Sequence, residues 1–201
     1  MFGDEAAGGD KGLLDLGGRP MLAHVVARFA PQVGRLALSA NGEPARFSAF
    51  GLPVIADIGG GGPLAGILAG MRWAESLAPG VPWIATVSAD TPFLPLDLVS
   101  KLAAAIDGAP RTIALAVSGG RAHHVIGLWP VALAPDLAWS LEQGWRKALA
   151  WAERHDNIRV EFPFAALGDA LADPFFNVNA PDDLALARRI LKSRRSVRNR
   201  C

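Results

Sequence analysis

Cysteine is almost absent from this chain. The single Cys201 excludes an internal disulfide framework and a Cys-ligated zinc cluster. No apolar run reaches the about 18 residues of a membrane span. The opening residues, with Asp4 and Glu5, hold no apolar segment of the kind that makes a signal peptide. A soluble cytoplasmic protein is the expectation. Charge is scarce too, at 19% of residues against 51% hydrophobic, which excludes a disordered chain. At 201 residues the chain has the size of one domain and buries roughly 70% of its unfolded surface, enough for a core without staples.

Acids are missing from the far end. Residues 188–200 hold seven Lys and Arg and no Asp or Glu, so a formal net charge of +1 conceals a body with 13 basic against 19 acidic residues. An acidic body argues against nucleic-acid binding by the fold itself. The basic stretch has the charge to touch RNA or anionic lipid, yet chain ends are where disorder concentrates. The reading is one domain over residues 1–190 and a frayed, solvated tail over 191–201.

Apolar runs alternate with helical periods. Strands are expected over residues 35–39, 52–56, 83–88, 112–117, 125–129 and 158–162. The run at 83–88 is continuous, as in a buried strand, and the last one alternates, as in a half-exposed one. Between them, Met21, Leu22, Val25, Val26 and Phe29 form one helical stripe behind Pro20. Leu64, Ile67, Leu68 and Met71 form a second, and Leu98, Val99, Leu102 and Ile106 a third. Residues 145–154 read as a helix. Asn179-Ala180-Pro181-Asp182-Asp183 reads as the start of another over 184–191. Strand and helix in alternation imply an α/β fold, a three-layer arrangement of a mostly parallel sheet with helices on both faces.

In such sheets ligands bind beyond the C-terminal ends of the strands, and four segments qualify. Gly8-Gly9-Asp10-Lys11-Gly12 lets backbone approach a ligand and offers a lysine suited to phosphate; alone it reads equally as a flexible start with a surface lysine. In Asp57-Ile58-Gly59-Gly60-Gly61-Gly62-Pro63-Leu64 a strand ends in an acid and four glycines lead to a helix start, where backbone N–H groups bind anions or base edges. A mobile linker would look similar, but four consecutive glycines carry an entropic cost that favours a function. Ser88-Ala89-Asp90-Thr91-Pro92 puts a carboxylate at the ligand edge, where it can hold Mg²⁺ or serve as a turn or helix cap. In Asn177-Val178-Asn179, alternation puts both amides on one face, although Asn179 also fits an N-cap. His123 and His124 are adjacent in a strand and face opposite ways, a poor metal pair. The six tryptophans are scattered and read as packing.

Taken together, Asp10-Lys11-Gly12-Leu13-Leu14, Gly62-Pro63-Leu64-Ala65-Gly66, Asp90-Thr91-Pro92-Phe93 and Asn177-Val178-Asn179-Ala180-Pro181-Asp182-Asp183-Leu184, in this order, resemble the molybdenum cofactor guanylyltransferases. The run His123-His124-Val125-Ile126-Gly127-Leu128-Trp129-Pro130 looks like that family's His-containing strand. The resemblance spans about residues 8–190 and implies a nucleotide-diphospho-sugar transferase-like, Rossmann-type fold. It implies transfer of GMP from GTP to molybdopterin, with Mg²⁺ as cofactor and release of pyrophosphate. By position, Lys11 and Asp90 would be catalytic, Lys11 facing phosphate charge and Asp90 holding the metal. Asn41, Asp57, Pro63 and Leu64 would lie by the nucleotide, and Asn177 and Asn179 toward the pterin. Expected partners are GTP, the molybdopterin cofactor and recipient molybdoenzymes or their chaperones; nucleic acid and membrane are not expected, and a monomer is. In-line attack of one phosphate on another needs charge neutralisation and alignment rather than a covalent nucleophile, which agrees with these residue types.

Two departures accompany the resemblance. The family opens with a buried strand and a turn of the type Leu-Ala-Gly-Gly-x-x-x-Arg-Met-Gly. This chain opens Met1-Phe2-Gly3-Asp4-Glu5-Ala6-Ala7, with Glu5 about where the Arg is expected. The family's Asn-Ala-Asn appears as Ser39-Ala40-Asn41. The strand belongs in the middle of the sheet, so its loss would leave two inner edges unpaired. Three accounts are open: a true start upstream, a truncated relative that no longer catalyses, or local substitution by residues 1–7, which hold few apolar groups. A cytidylyltransferase for the same pterin, a non-catalytic pterin- or partner-binding relative, and a sugar-nucleotide transferase are the alternative functions.

Overall fold

The computed structural model describes residues 10–58, 61–167 and 170–198. Glu5, Gly8, Gly9, Gly59, Gly60 and Cys201 lie outside them.

Helix α1 (Met21–Phe29) begins directly after Pro20 and buries Met21, Leu22, Val25 and Phe29, the stripe its spacing predicts. Two short strands follow, β1 (Leu38–Ser39) and β2 (Val54–Ile55), paired in parallel. Helix α2 (Pro63–Leu77) starts with proline in its first turn, after Gly62 at φ 91°, a left-handed value that favours glycine. Strand β3 (Trp83–Thr86) leads to α3 (Leu98–Ile106), which buries Leu98, Leu102 and Ile106 and ends at Asp107. Then come β4 (Ile113–Ser118), β5 (Arg121–Pro130), α4 (Ala134–Glu142), α5 (Ala148–Ala152), β6 (Asn157–Glu161), the hairpin of β7 (Ala165–Leu167) and β8 (Ala170–Ala172), and α6 (Pro181–Arg198).

The main sheet has the order β3-β5-β4-β6. β4 and β6 run parallel, while β5 is antiparallel to both its neighbours. The sheet is therefore mixed around β5, where a mostly parallel one was expected. The reason is local: Gly119 and Gly120, at φ 54° and 76°, make a two-residue turn whose twist matches a hairpin, and a hairpin reverses the chain. Helices cover both faces, as expected. β4 is buried at every residue, and its alternation still shows. Ala114 and Ala116 join a core with Phe29, Leu98 and Leu102, whereas Ile113 and Leu115 join a core with Leu64, Leu68, Leu137 and Trp151. A third cluster packs α6, through Leu184, Ala187 and Ile190, against Leu16, Met21 and Phe93.

The sheet is divided where a strand was expected to be missing. β1 pairs only with β2 and β3 only with β5; among the described residues no strand joins β1 to β3. β3 is half-buried along its whole length, whereas β4, flanked on both sides, is buried throughout. Other elements differ from the sequence reading. The helix expected over 145–154 is shorter, because Gly144 at φ 85° ends α4 and Arg146 then bonds the carbonyls of Leu141 and Trp145. α4 and the β7–β8 hairpin were not expected. α6 continues to Arg198, past the Leu191 at which the apolar spacing ends, with Asp182 and Asp183 in its first turn complementing the helix dipole.

Candidate functional site

Three of the four segments, around Lys11, Asp90 and Asn177–Asn179, meet beyond β3, while the Asp57 segment lies at the end of β2 against the loop after β1. Asp10 precedes a short 3-10 turn, Lys11–Leu13, in which the Leu13 N–H donates to the Asp10 carbonyl at 2.8 Å. Gly12 in this turn is buried, and a Cβ there would sit 3.3 Å from the Leu22 Cβ and 3.5 Å from the Ala89 Cβ. Glycine thus lets the turn press against the loop that follows β3. Lys11 is exposed, and its Nζ donates to Asn179 Oδ1 at 3.1 Å.

After β1, Ser39 and Asn41 both engage Asp57 at the end of β2. Ser39 Oγ donates to Asp57 Oδ1 at 2.6 Å, Asn41 Nδ2 to Asp57 Oδ2 at 3.1 Å, and the Asp57 N–H to Asn41 Oδ1 at 3.0 Å. The departure Ser39 thus still reaches the carboxylate, by a hydroxyl in place of an amide. Each carboxylate oxygen keeps a second lone pair for a further donor. The first turn of α2 lies on this group: a Cβ on Gly66 would sit 3.1 Å from Ser39 Oγ and 3.3 Å from Asp57 Oδ1. Pro63 is exposed beside it, but the Leu64 side chain is 1% exposed and points into the core, so only its backbone can meet a ligand.

After β3, Ser88 Oγ donates to Asp90 Oδ1 at 2.6 Å. The Asp90 carbonyl accepts the Val178 N–H at 3.0 Å, and the buried Thr91 donates its hydroxyl to Asn177 Oδ1 at 2.8 Å. The segment 177–179 is therefore laid along the Asp90 loop. Asn179 does not cap α6 with its side chain; Asp183 Oδ2 takes the N–H groups of Asn179 and Ala180 instead, at 2.9 and 2.8 Å, which leaves the Asn179 amide for Lys11. A cavity of about 270 Å³ opens between the two halves of the sheet, with Lys11, Ser39 and Asp90 in its wall.

Sequence reasoning missed Arg46. Its Nε pairs with Asp10, its Nη1 bonds the Glu43 carbonyl and its Nη2 the Asn41 carbonyl. One guanidinium thus ties the neighbour of Lys11 to the Asn41 loop. No local signal marks it among 20 Lys and Arg, since the carboxylate it pairs with, Asp10, is 36 positions away. Ser88 and Thr91 were within a flagged segment but carried no assigned part. Of the two histidines, His123 is buried and His124 exposed, as opposite faces of a strand require. Burial holds the His123 imidazole below its ordinary value of 6.5, with the Asp173 carboxylate working against that shift. Among the described residues no three of His, Cys, Asp and Glu gather in a way that could hold a metal ion. Two carboxylates line the cavity, Asp10 and Asp90, and Asp10 is paired with Arg46; Asp90 still suits Mg²⁺, which takes one or two protein carboxylates and completes its shell with water and substrate phosphate.

Comparison with known proteins bears on the family and the fold. The MobA-like NTP transferase domain matches residues 5–158, which include Lys11, Asn41, Asp57 and Asp90 and stop short of Asn177 and Asn179. The molybdenum cofactor guanylyltransferase of Mesorhizobium japonicum is 50% identical over 189 residues, covering 92% of this chain and 89% of that protein. The protein of the same name from a Bradyrhizobium species is 47% identical over 186 residues, 91% and 85% of the two chains. Among solved structures, molybdopterin-guanine dinucleotide biosynthesis protein A of Archaeoglobus fulgidus superposes with a TM-score of 0.71 at 24% identity over 92% of each chain. 2-C-methyl-D-erythritol 4-phosphate cytidylyltransferase of Thermus thermophilus gives 0.62 at 19% identity over 93% of this chain and 96% of the other. At those identities the two structures speak for the fold alone. The family rests instead on the sequence relatives, which extend well beyond the matched domain and across the Asn177–Asn179 segment, and on this ground the chain belongs to the MobA-like molybdenum cofactor guanylyltransferases, a family of nucleotidyltransferases.

Proposed function

We propose that this chain transfers GMP from GTP to the phosphate of the molybdenum-molybdopterin cofactor, giving the guanine dinucleotide and pyrophosphate. A phosphate oxygen of the pterin attacks the α-phosphorus of GTP. The new P–O bond forms as the bond to the β-phosphate oxygen breaks, and pyrophosphate carries away the electron pair. The attacking phosphate is already ionised at neutral pH, so the protein need supply no base.

What it must supply is alignment and positive charge. Lys11, exposed beside the cavity, sets a compact cation against the phosphates. Asp57, with Asn41 and Ser39 fixing its oxygens, lies by the nucleotide with Pro63 and the backbone of Leu64, and its spare lone pairs suit the N–H groups of a guanine edge. Asn177 and Asn179 lie toward the pterin. Asp90, oriented by the Ser88 hydroxyl, would hold Mg²⁺ through its carboxylate. Bound there, the ion would neutralise triphosphate charge. This reading goes with a cytoplasmic monomer that passes its product to molybdoenzymes or their chaperones; in the structure no helix among the described residues is long and apolar enough to cross a membrane.

The observation that carries the reading is the hydrogen bond from Lys11 to Asn179. Two residues 168 positions apart, assigned to different substrates, meet at 3.1 Å. The test is thermal unfolding of the whole chain with Mg²⁺ and GTP, CTP or ATP. A ligand at about 100 times its dissociation constant stabilises by about 2.7 kcal/mol. A shift with GTP alone is expected; an equal shift with CTP would favour a cytidylyltransferase instead. A second reading, a non-catalytic relative that binds pterin or a partner, is supported by the lack, among the described residues, of a strand between β1 and β3 beside the cavity. That reading predicts no shift with any nucleotide.

A further inference from the structure

Three polar side chains outside the cavity are gathered where β4 turns into β5. Ser118, the last residue of β4, is 2% exposed, and His123, near the start of β5, is 8% exposed. Ser118 Oγ lies 2.7 Å from His123 Nε2 and 2.7 Å from Asp173 Oδ1, and Asp173 Oδ1 also accepts the Phe175 N–H at 2.8 Å. One arrangement of protons satisfies all three groups: His123 donates Nε2–H to the hydroxyl, and the hydroxyl donates to the carboxylate. In a nucleophile of the Ser-His-Asp kind the hydroxyl proton goes to the imidazole. Here it goes to the carboxylate, and the buried hydroxyl lies outside the cavity wall, so the group is not a second catalytic centre.

What the group does hold is the connector from β8 to α6. Asp173 is bonded to the end of β4. Two residues on, the Phe175 ring lies 4.7 Å from the His123 ring and meets Phe162 edge-on at 5.2 Å. Two residues further comes Asn177, and then Asn179. An extended chain advances at most about 3.6 Å per residue, so fixing Phe175 leaves Asn177 little slack. The connector is thus pinned at one end by the hairpin and at the other by Thr91, Asp90 and Lys11.

We propose that Ser118, His123 and Asp173 form a positioning latch that sets the placement of Asn177 and Asn179, and through them the affinity for the pterin substrate more than that for the nucleotide. The proposal rests on the reading of those two asparagines as the pterin side. A carboxamide at position 173 keeps an acceptor for Ser118 and for the Phe175 N–H, whereas alanine keeps none. The substitutions are therefore Ser118→Ala, Asp173→Ala and Asp173→Asn, with Asn177→Ala as the reference. In the full chain, Ser118→Ala and Asp173→Ala should raise KM for the pterin about tenfold, the loss expected for about one hydrogen bond to the substrate. kcat and the thermal shift with GTP and Mg²⁺ should change by much less than KM, since Lys11 and Asp90 meet the segment through one hydrogen bond each, and Asp173→Asn should restore KM. Asp173→Ala should add little to Asn177→Ala, because both act through one segment. A second readout needs no turnover: in Ser118→Ala the Val178 amide should exchange its hydrogen faster while amides of β4 do not.

The outcomes separate. Unchanged KM in Asn177→Ala sinks the pterin-side reading and the latch's function with it. Raised KM in Asn177→Ala with none in Ser118→Ala and Asp173→Ala overturns the latch alone. So does parallel loss of kcat, GTP shift and unfolding temperature, which would mark a general packing role, or unaltered exchange at Val178.

Discussion

Replacing Asp90 by asparagine separates the metal assignment from the fold. Asp90 Oδ1 accepts from Ser88, and its backbone carbonyl from Val178. Asparagine retains an Oδ1 acceptor and the same backbone, so both bonds survive. The stability of the free chain should therefore change by no more than about 1 kcal/mol, the worth of one altered hydrogen bond. Charge is what is lost. If Asp90 holds Mg²⁺ for the triphosphate, the stabilisation by GTP with Mg²⁺ should vanish. At about 100 times the dissociation constant that stabilisation is about 2.7 kcal/mol, and for a chain of this length each kcal/mol moves the midpoint by about 2–4 °C. A wild-type shift of about 5–10 °C should then collapse to the shift seen with GTP and chelator. The assay is thermal unfolding of both proteins with and without Mg²⁺. A full Mg²⁺-dependent shift in Asp90→Asn would refute the assignment.

Other substitutions probe the remaining contacts. Lys11→Ala removes an exposed cation with one hydrogen bond, so the midpoint should hardly move while GMP transfer falls by about a hundredfold or more, measured as pyrophosphate release. Arg46→Ala breaks the strap between Asp10 and the Asn41 loop and should cost about 1–3 kcal/mol in urea unfolding, with weaker GTP binding; unchanged GTP binding would make the strap incidental. His123 titrates below its ordinary value because it is buried, Asp173 and Glu161 pulling upward and Arg121 and His124 adding to the depression. The unfolded chain then binds the extra proton first. The stability tied to this group is complete above about pH 6.5 and is lost as pH falls from there through the folded value. Urea midpoints between about pH 7.5 and 5 should fall less in His123→Gln, and an identical fall would show that another group governs it.

Much of this arrangement is legible in the chain itself, and the rest is not for identifiable reasons. β4 and β3 announce themselves as apolar runs. Asp57 and Asp90 are legible because each follows such a run, which puts it at the ligand edge before any contact is known. α4 has a local signal as well: Pro135 and Asp136 stand in its first turn, the usual helix-start pattern. The β7–β8 hairpin has none, because Ala165-Ala166-Leu167 and Ala170-Leu171-Ala172 contain no β-branched or aromatic residue and pair only through tertiary context. Arg46 and Asp173 were illegible for a different reason. Their partners lie far away in sequence, Asp10 for one and Ser118 for the other, and no spacing rule connects them.

The division of the sheet and the position of the site are one feature. Where strands pair, a ladder of backbone bonds fixes their separation, and side chains are free to do chemistry. Between β1 and β3 there is no such ladder among the described residues. The separation of Ser39 from Asp90 across the cavity is instead governed by side chains and one close glycine contact. Arg46 ties Asp10 to the loop behind β1, Gly12 seats the Lys11 turn on Ala89, and Lys11 reaches Asn179, which the Asp90 loop holds in place through Thr91 and Val178. Such contacts are each worth about 1 kcal/mol where a strand would add several backbone bonds together with its apolar side chains. Among the described residues the cavity side is thus the more weakly braced part of the fold, and on the proposed function a bound triphosphate that engages both walls would brace it. Ligand stabilisation should accordingly be concentrated at β1, β2 and β3 rather than spread over β4, β5 and β6, whose ladders are complete without it.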